Sequence, residues 1–204
     1  DWGKTKTFKF VIIAKLPALV NLSLENSLGK IEIGDMTGNV EIESNLGSVA
    51  INSLSGSYDL GFNLDDVRIG KLKNGEITMN LGSLDIEEAG NLNLSMAKGD
   101  CSIAKIMNLD AEINMGDLTI DEVDANFEKI DIESNMGNVE IRINKNAGFT
   151  FDGSTTMGKI DYPELDKLVK HKSKMGMSIE GTYGNGRSSV DVEGNMGNIS
   201  IKIK

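Results

Sequence analysis

Apolar and polar residues alternate with a period of two along almost the whole chain, as in Leu118-Thr119-Ile120 and Val139-Glu140-Ile141. That period is the mark of a β-strand with one buried face. The alternation itself recurs. Asn45-Leu46-Gly47-Ser48-Val49-Ala50-Ile51 returns as Asn80-Leu81-Gly82-Ser83-Leu84-Asp85-Ile86, and again from Asn114, Asn135 and Asn195. Phrase glycines stand at 29, 47, 82, 99, 116, 137, 158 and 197, with Asp65 in the glycine slot of Asn63-Leu64-Asp65-Asp66-Val67. Successive slots from 29 to 116 are 18, 18, 17, 17 and 17 residues apart, and the next two steps are 21. A repeat this short cannot bury its own apolar face, so stacked repeats must build the core.

Aligning the repeats produces columns. Four residues after each slot come Ile33, Ile51, Ile69, Ile86, Ile103, Ile120 and Ile141. Two residues after it come Ile31, Val49, Val67, Leu84, Cys101, Leu118 and Val139. A third column holds Met36, Leu54, Leu72, Ala89, Ile106 and Val123, and a fourth, on the return side, Ile42, Leu60, Ile77, Leu94, Ala111 and Ile132. Branched ladders in register at about 4.8 Å per rung are what a parallel β-helix buries. The pattern therefore predicts an all-β, single-stranded parallel β-solenoid with rungs of 17–21 residues. Longer steps fall in loops such as Asp124-Ala125-Asn126-Phe127-Glu128, because a one-residue shift within a strand would turn it inside out.

The organisation expected is one continuous domain: capping strands over 1–26, rungs over 27–162, and a charged loop with C-terminal rungs over 163–204. The cap is read from Thr5 to Leu24, since a bare solenoid end is an open strand edge. Pro163–Lys174 breaks the alternation and reads as a charged, helical excursion. The 158 slot is expected to stack on 137, and the chain to close on Ile199-Ser200-Ile201-Lys202-Ile203-Lys204.

Composition narrows the function classes. Hydrophobic residues are 39% and charged residues 25% of 204, which fits a globular chain. The net charge of −10 argues against nucleic acid as a partner. One cysteine, Cys101, excludes an intrachain disulfide. The longest apolar run, Phe10–Ala14, is too short to span a bilayer. Asp1-Trp2-Gly3 does not look like a native start, so a targeting segment upstream and an extracytoplasmic location in the cell envelope or at the cell surface are expected.

The phrases Leu46-Gly47-Ser48-Val49, Gly38-Asn39-Val40-Glu41-Ile42 and Ala89-Gly90-Asn91-Leu92-Asn93-Leu94 resemble those of the bacterial "putative adhesin" family of β-solenoid domains, common in Bacteroidetes. The likeness runs from about Lys15 to the end, with Leu or Met where the family often places an aromatic residue. It implies the fold and a role in surface adhesion. It transfers no catalytic residue.

The polar positions hold the candidate chemistry. Glu41, Asp59, Glu76, Asn93, Asp110 and Asp131 share one outward phase, with Glu43, Glu112 and Glu133 beside them. Like charges opposite one another cost a few tenths of a kcal/mol or more. Such a stripe suits a divalent cation or a cationic partner, or serves solubility alone. Asp35, Ser53, Lys71, Glu88, Lys105 and Glu122 alternate in sign after Ser53 and read as a structural charge ladder. Cys101 sits in a buried column and reads as an inert small hydrophobe. Met115, Met136, Met157 and Met196, each before a glycine, read as packing. The single histidine, His171, lies among Lys167, Lys170, Lys172 and Lys174, a basic patch suited to an anionic glycan or headgroup.

A non-catalytic envelope scaffold or adhesin follows, with a surface glycan or a host or envelope protein as partner and no cofactor or metal. Two alternatives stand beside it. One is a polysaccharide lyase or glycosidase on a β-helix, which needs clustered carboxylates in an aromatic-lined groove, whereas aromatics are 5% here. The other is a periplasmic structural or self-assembling element.

Overall fold

The computed structural model describes residues 11–173 and 175–204. Twelve strands run in chain order: β1 (Leu22–Asn26), β2 (Gly29–Met36), β3 (Val40–Met115), β4 (Leu118–Val123), β5 (Lys129–Met136), β6 (Val139–Ile143), β7 (Phe149–Met157), β8 (Ile160–Asp161), β9 (Asp166–Lys172), β10 (Met177–Tyr183), β11 (Ser188–Met196) and β12 (Ile199–Ile203). The fold is an all-β solenoid whose sheet does not close. β3 passes through the slots at 47, 65, 82 and 99 without a break. Of the segment 1–26, residues 1–10 lie outside the described residues, and β1 runs parallel to Val40–Ser44 of β3.

Register follows the repeat. Ile33 pairs with Ile51, Ile103 with Ile120, and Asp110 with Asp131, all in parallel. From Ile51 to Ile141 the isoleucine column is buried throughout. Ile33 is half-buried, and among the described residues β2 pairs with β3 alone. Cys101 lies inside, and burial pushes its thiol well above the ordinary range, which keeps it protonated and unreactive. Tyr58 is buried against Gly75, where an added Cβ would stand 2.6 Å from the ring.

The glycine slots show why the phrase exists. Gly116 and Gly137 hold φ of +139° and +151°, and a Cβ on Gly137 would lie 1.8 Å from the Gly116 carbonyl oxygen. The corner is thus both left-handed and packed backbone to backbone, which glycine alone accommodates. Asp65 takes the slot without a positive φ. Its side chain is buried and accepts a hydrogen bond from the Ser44 hydroxyl at 3.2 Å.

The C-terminal third departs from the expected order in two ways. The 158 rung does not stack on 137. β11 lies between β5 and β7, parallel to both, with Val190 opposite Ile130 on one side and Phe151 on the other. β12 likewise separates β6 from β8. The Gly137 N–H donates to the Met196 carbonyl at 2.9 Å, and the Gly197 N–H to the Met157 carbonyl at 3.0 Å. The order in space is 116, 137, 197, 158. The last strands of the chain have been inserted into the stack.

The helix expected over Pro163–Lys174 is absent among the described residues. Asp166–Lys172 forms β9, antiparallel to β10, which is itself antiparallel to β7. An open sheet edge offers ladder hydrogen bonds that outweigh a weak local preference, and Val169 suits a strand. The lysines of β9 then stand on the outermost edge, where charge discourages further pairing.

Candidate functional site

The outward columns of the return-side strands form the candidate site. Glu41, Asp59, Glu76, Asn93 and Asp110 are exposed and Asp131 is half-buried, and each is followed by an inward apolar residue. The insertion adds carboxylates that linear spacing does not reveal. Asp191 stands in register with Asp131 and with Asp152, and Asp152 faces Glu180 across the antiparallel pair. The column thus continues as Asp110, Asp131, Asp191, Asp152 and Glu180 on five neighbouring strands.

A second acidic column runs beside it. Glu112 pairs with Glu133, and Glu133 with Glu193, along a shallow groove of about 300 Å³ whose other walls include Asn135, Asn195 and Thr156. Glu43 lies farther along the same column, and its carboxylate covers the place where a Cβ on Gly61 would be, 2.7 Å away. Lys129 bridges to Asp131 at 2.6 Å, and that hydrogen bond and charge hold its ammonium protonated, with Asp110 and Asp191 adding to the field. Burial, and then the Glu180 charge, raise the Asp152 carboxyl above its ordinary range. Burial is the larger cause, and the neighbouring Glu180 carboxylate adds to it.

The other predicted positions fall as follows. In the charge ladder Lys71 meets Glu88 at 2.9 Å. Lys105 turns instead to Asp124 at 3.1 Å, because the loop after β4 brings that carboxylate nearer, and Glu122 pairs with Lys204 at 3.4 Å. All three pairs are on the surface and contribute little each. His171 sits on β9 opposite Ser178, and Lys170 lies 5.5 Å above the Tyr162 ring. Lys174 is outside the described residues.

The methionines correct the reading that they are packed within the fold. Met115, Met136, Met196 and Met157 stand in register but point outward, and they continue Leu28, Leu46, Leu64 and Leu81 as an exposed ridge. The residue before each glycine precedes the corner, so its side chain lies on the outer edge. Asparagines run alongside. Asn63 donates to Asn45 at 2.5 Å, Asn135 to Asn114 at 2.9 Å and Asn195 to Asn135 at 3.4 Å. On the other side of the glycines, Asp100, Asp117, Asn138 and Asn198 are joined by backbone and side-chain hydrogen bonds that end on the Lys159 N–H. No helix of the described residues is long and apolar enough to cross a membrane.

The model of the Toastrack DUF4097 family matches residues 6–202, and the chain belongs to that family. No curated protein matches it. The chain is similar to the crystal structure of a "putative cell adhesion protein" from Clostridium sporogenes, at 14% identity over 92% of this chain and 94% of that one, with a TM-score of 0.28.

Proposed function

We propose that the protein is a non-catalytic scaffold of the cell envelope, adhesin-like in role, whose acidic face docks a cationic segment of a surface or envelope protein. The observation that supports this is the continuity of the carboxylates across the inserted strands. Asp191 and Glu193 come from the end of the chain, yet they fall in step with Asp131 and Glu133. Carboxylates repeated at about 4.8 Å repel one another and raise the local negative potential. A cationic partner relieves that repulsion, so each contact gains from a strain already present. The surface setting rests on the resemblance of the repeat to adhesin-type domains.

Calorimetric titration with a lysine-rich peptide and, separately, with calcium tests the reading. The peptide should bind saturably, weaken as salt screens the field, and lose about tenfold or more in affinity in the Asp131→Asn/Asp191→Asn variant. No heat from either titrant at low salt would leave the face a solubility device. Turnover on a panel of polysaccharides would favour the lyase or glycosidase alternative.

A further inference from the structure

Leucine or methionine occupies eight of nine consecutive corner positions, with exposures from 37% at Leu81 to 72% at Leu28. Eight such side chains leave on the order of 500 Å² of apolar surface along one line interrupted once, at the upper end of what monomers tolerate. The remaining position is Lys98. In the spatial order 28, 46, 64, 81, 98, 115, 136, 196, 157 it is the central member, with four leucines on one side and four methionines on the other.

We propose that the ridge is a self-association surface, on which a second copy of this chain packs antiparallel about a two-fold axis near Lys98. Three features fit that occupant. First, the ridge has a constant rung spacing, so a reversed copy matches it position for position, as an isologous interface requires. Second, reversal places the leucine half against the partner's methionine half, with Leu64 opposite Met136. Flexible methionine adapts to branched leucine better than two branched rows adapt to each other. Third, the axis brings the two copies' Lys98 side chains together, and carboxylates beside them offset that like charge. Among the described residues Lys98 makes no ion pair. Asp100, two residues from Lys98, and Asp117, whose N–H donates to Asp100 at 3.0 Å, stand beside the centre of the ridge and supply the carboxylates for the crossing lysines. The hydrogen-bonded asparagine and aspartate ladders on either side are already ordered, so they supply a polar rim at little further entropic cost.

Sedimentation velocity on the chain from micromolar to near-millimolar concentration tests this. The expected result is a reversible monomer–dimer equilibrium. Leu64→Glu and Met136→Lys should each weaken it about tenfold or more. The double variant should regain most of the loss, because the antiparallel register sets the two new charges against each other across the axis. Both side chains point outward, so the thermal midpoint should stay close to that of the parent. A monomer at every concentration would overturn the proposal, and so would a dimer indifferent to both substitutions. A parent monomer that adsorbs to zwitterionic phosphatidylcholine vesicles through the ridge would also overturn it.

Discussion

Between Gly29 and Gly137 the chain winds monotonically, and each rung lies on the one that precedes it in sequence. Beyond Gly137 the side-chain rules are unchanged, but the rung at 197 lies between those at 137 and 158. Both regions bury apolar residues at alternate positions and, Asp65 apart, turn on glycine. What separates them is the order in which the chain visits the stack. A repeat period therefore reports what a rung contains and in which register it pairs. It does not report which rung comes next.

The largest expected effect probes the inserted corner. A Cβ on Gly197 would stand 1.8 Å from the Gly137 carbonyl oxygen at φ +146°, so Gly197→Ala should cost on the order of 4–5 kcal/mol in urea unfolding. Gly29 has φ +127° with nothing within 4 Å of its would-be Cβ, and Gly29→Ala should cost only about 1–2 kcal/mol. Equal costs would mean that the 197 corner is not enclosed. Next in size, Ile86→Ala and Ile201→Ala should each cost about 2–5 kcal/mol, since both side chains are buried in the same kind of column. A negligible cost for Ile201→Ala would mark the last strand as loosely docked.

The smallest effect is electrostatic. The folded state raises the Asp152 carboxyl above its unfolded value, so it disfavours the ionised form. The resulting penalty is absent below the unfolded pKa. It grows as pH rises through the raised value and persists at neutrality. Asp152→Asn should thus raise the thermal midpoint slightly near pH 7, with the gain fading in acid. A gain independent of pH would break the link to ionisation.

Much of this was legible in the sequence. The isoleucine column fixed the register, and Cys101 was correctly placed inside, because alternation and spacing encode which face is buried. The Glu41–Asp131 column is legible from phase alone. Asp191, Asp152 and Glu180 are not, because their neighbours are distant in sequence. A signal for the insertion was nevertheless present. Asn135-Met136-Gly137-Asn138 and Asn195-Met196-Gly197-Asn198 share both asparagines, whereas Thr156-Met157-Gly158-Lys159 has neither. Asparagine ladders need asparagine on the adjoining rung, so the 158 phrase reads in hindsight as an outer rung. The β9 strand was hidden for a different reason: it forms by capturing an edge that local sequence does not display. The methionines misled because an apolar residue within a repeat is usually inward, and only the corner geometry turns these out.

The insertion is tested most directly by cross-linking across the acidic face. Adjacent parallel strands lie about 4.8 Å apart and next-nearest strands roughly 10 Å apart, and only the former is within reach of a disulfide. Glu193 is in register with Glu133 on one side and Ser154 on the other. Oxidation of the Glu133→Cys/Glu193→Cys variant should close a disulfide, seen as a mobility shift reversed by reductant, while Glu133→Cys/Ser154→Cys should remain reduced. The buried Cys101 does not compete. Closure of the second pair and failure of the first would contradict the insertion and restore a simple sequential stack.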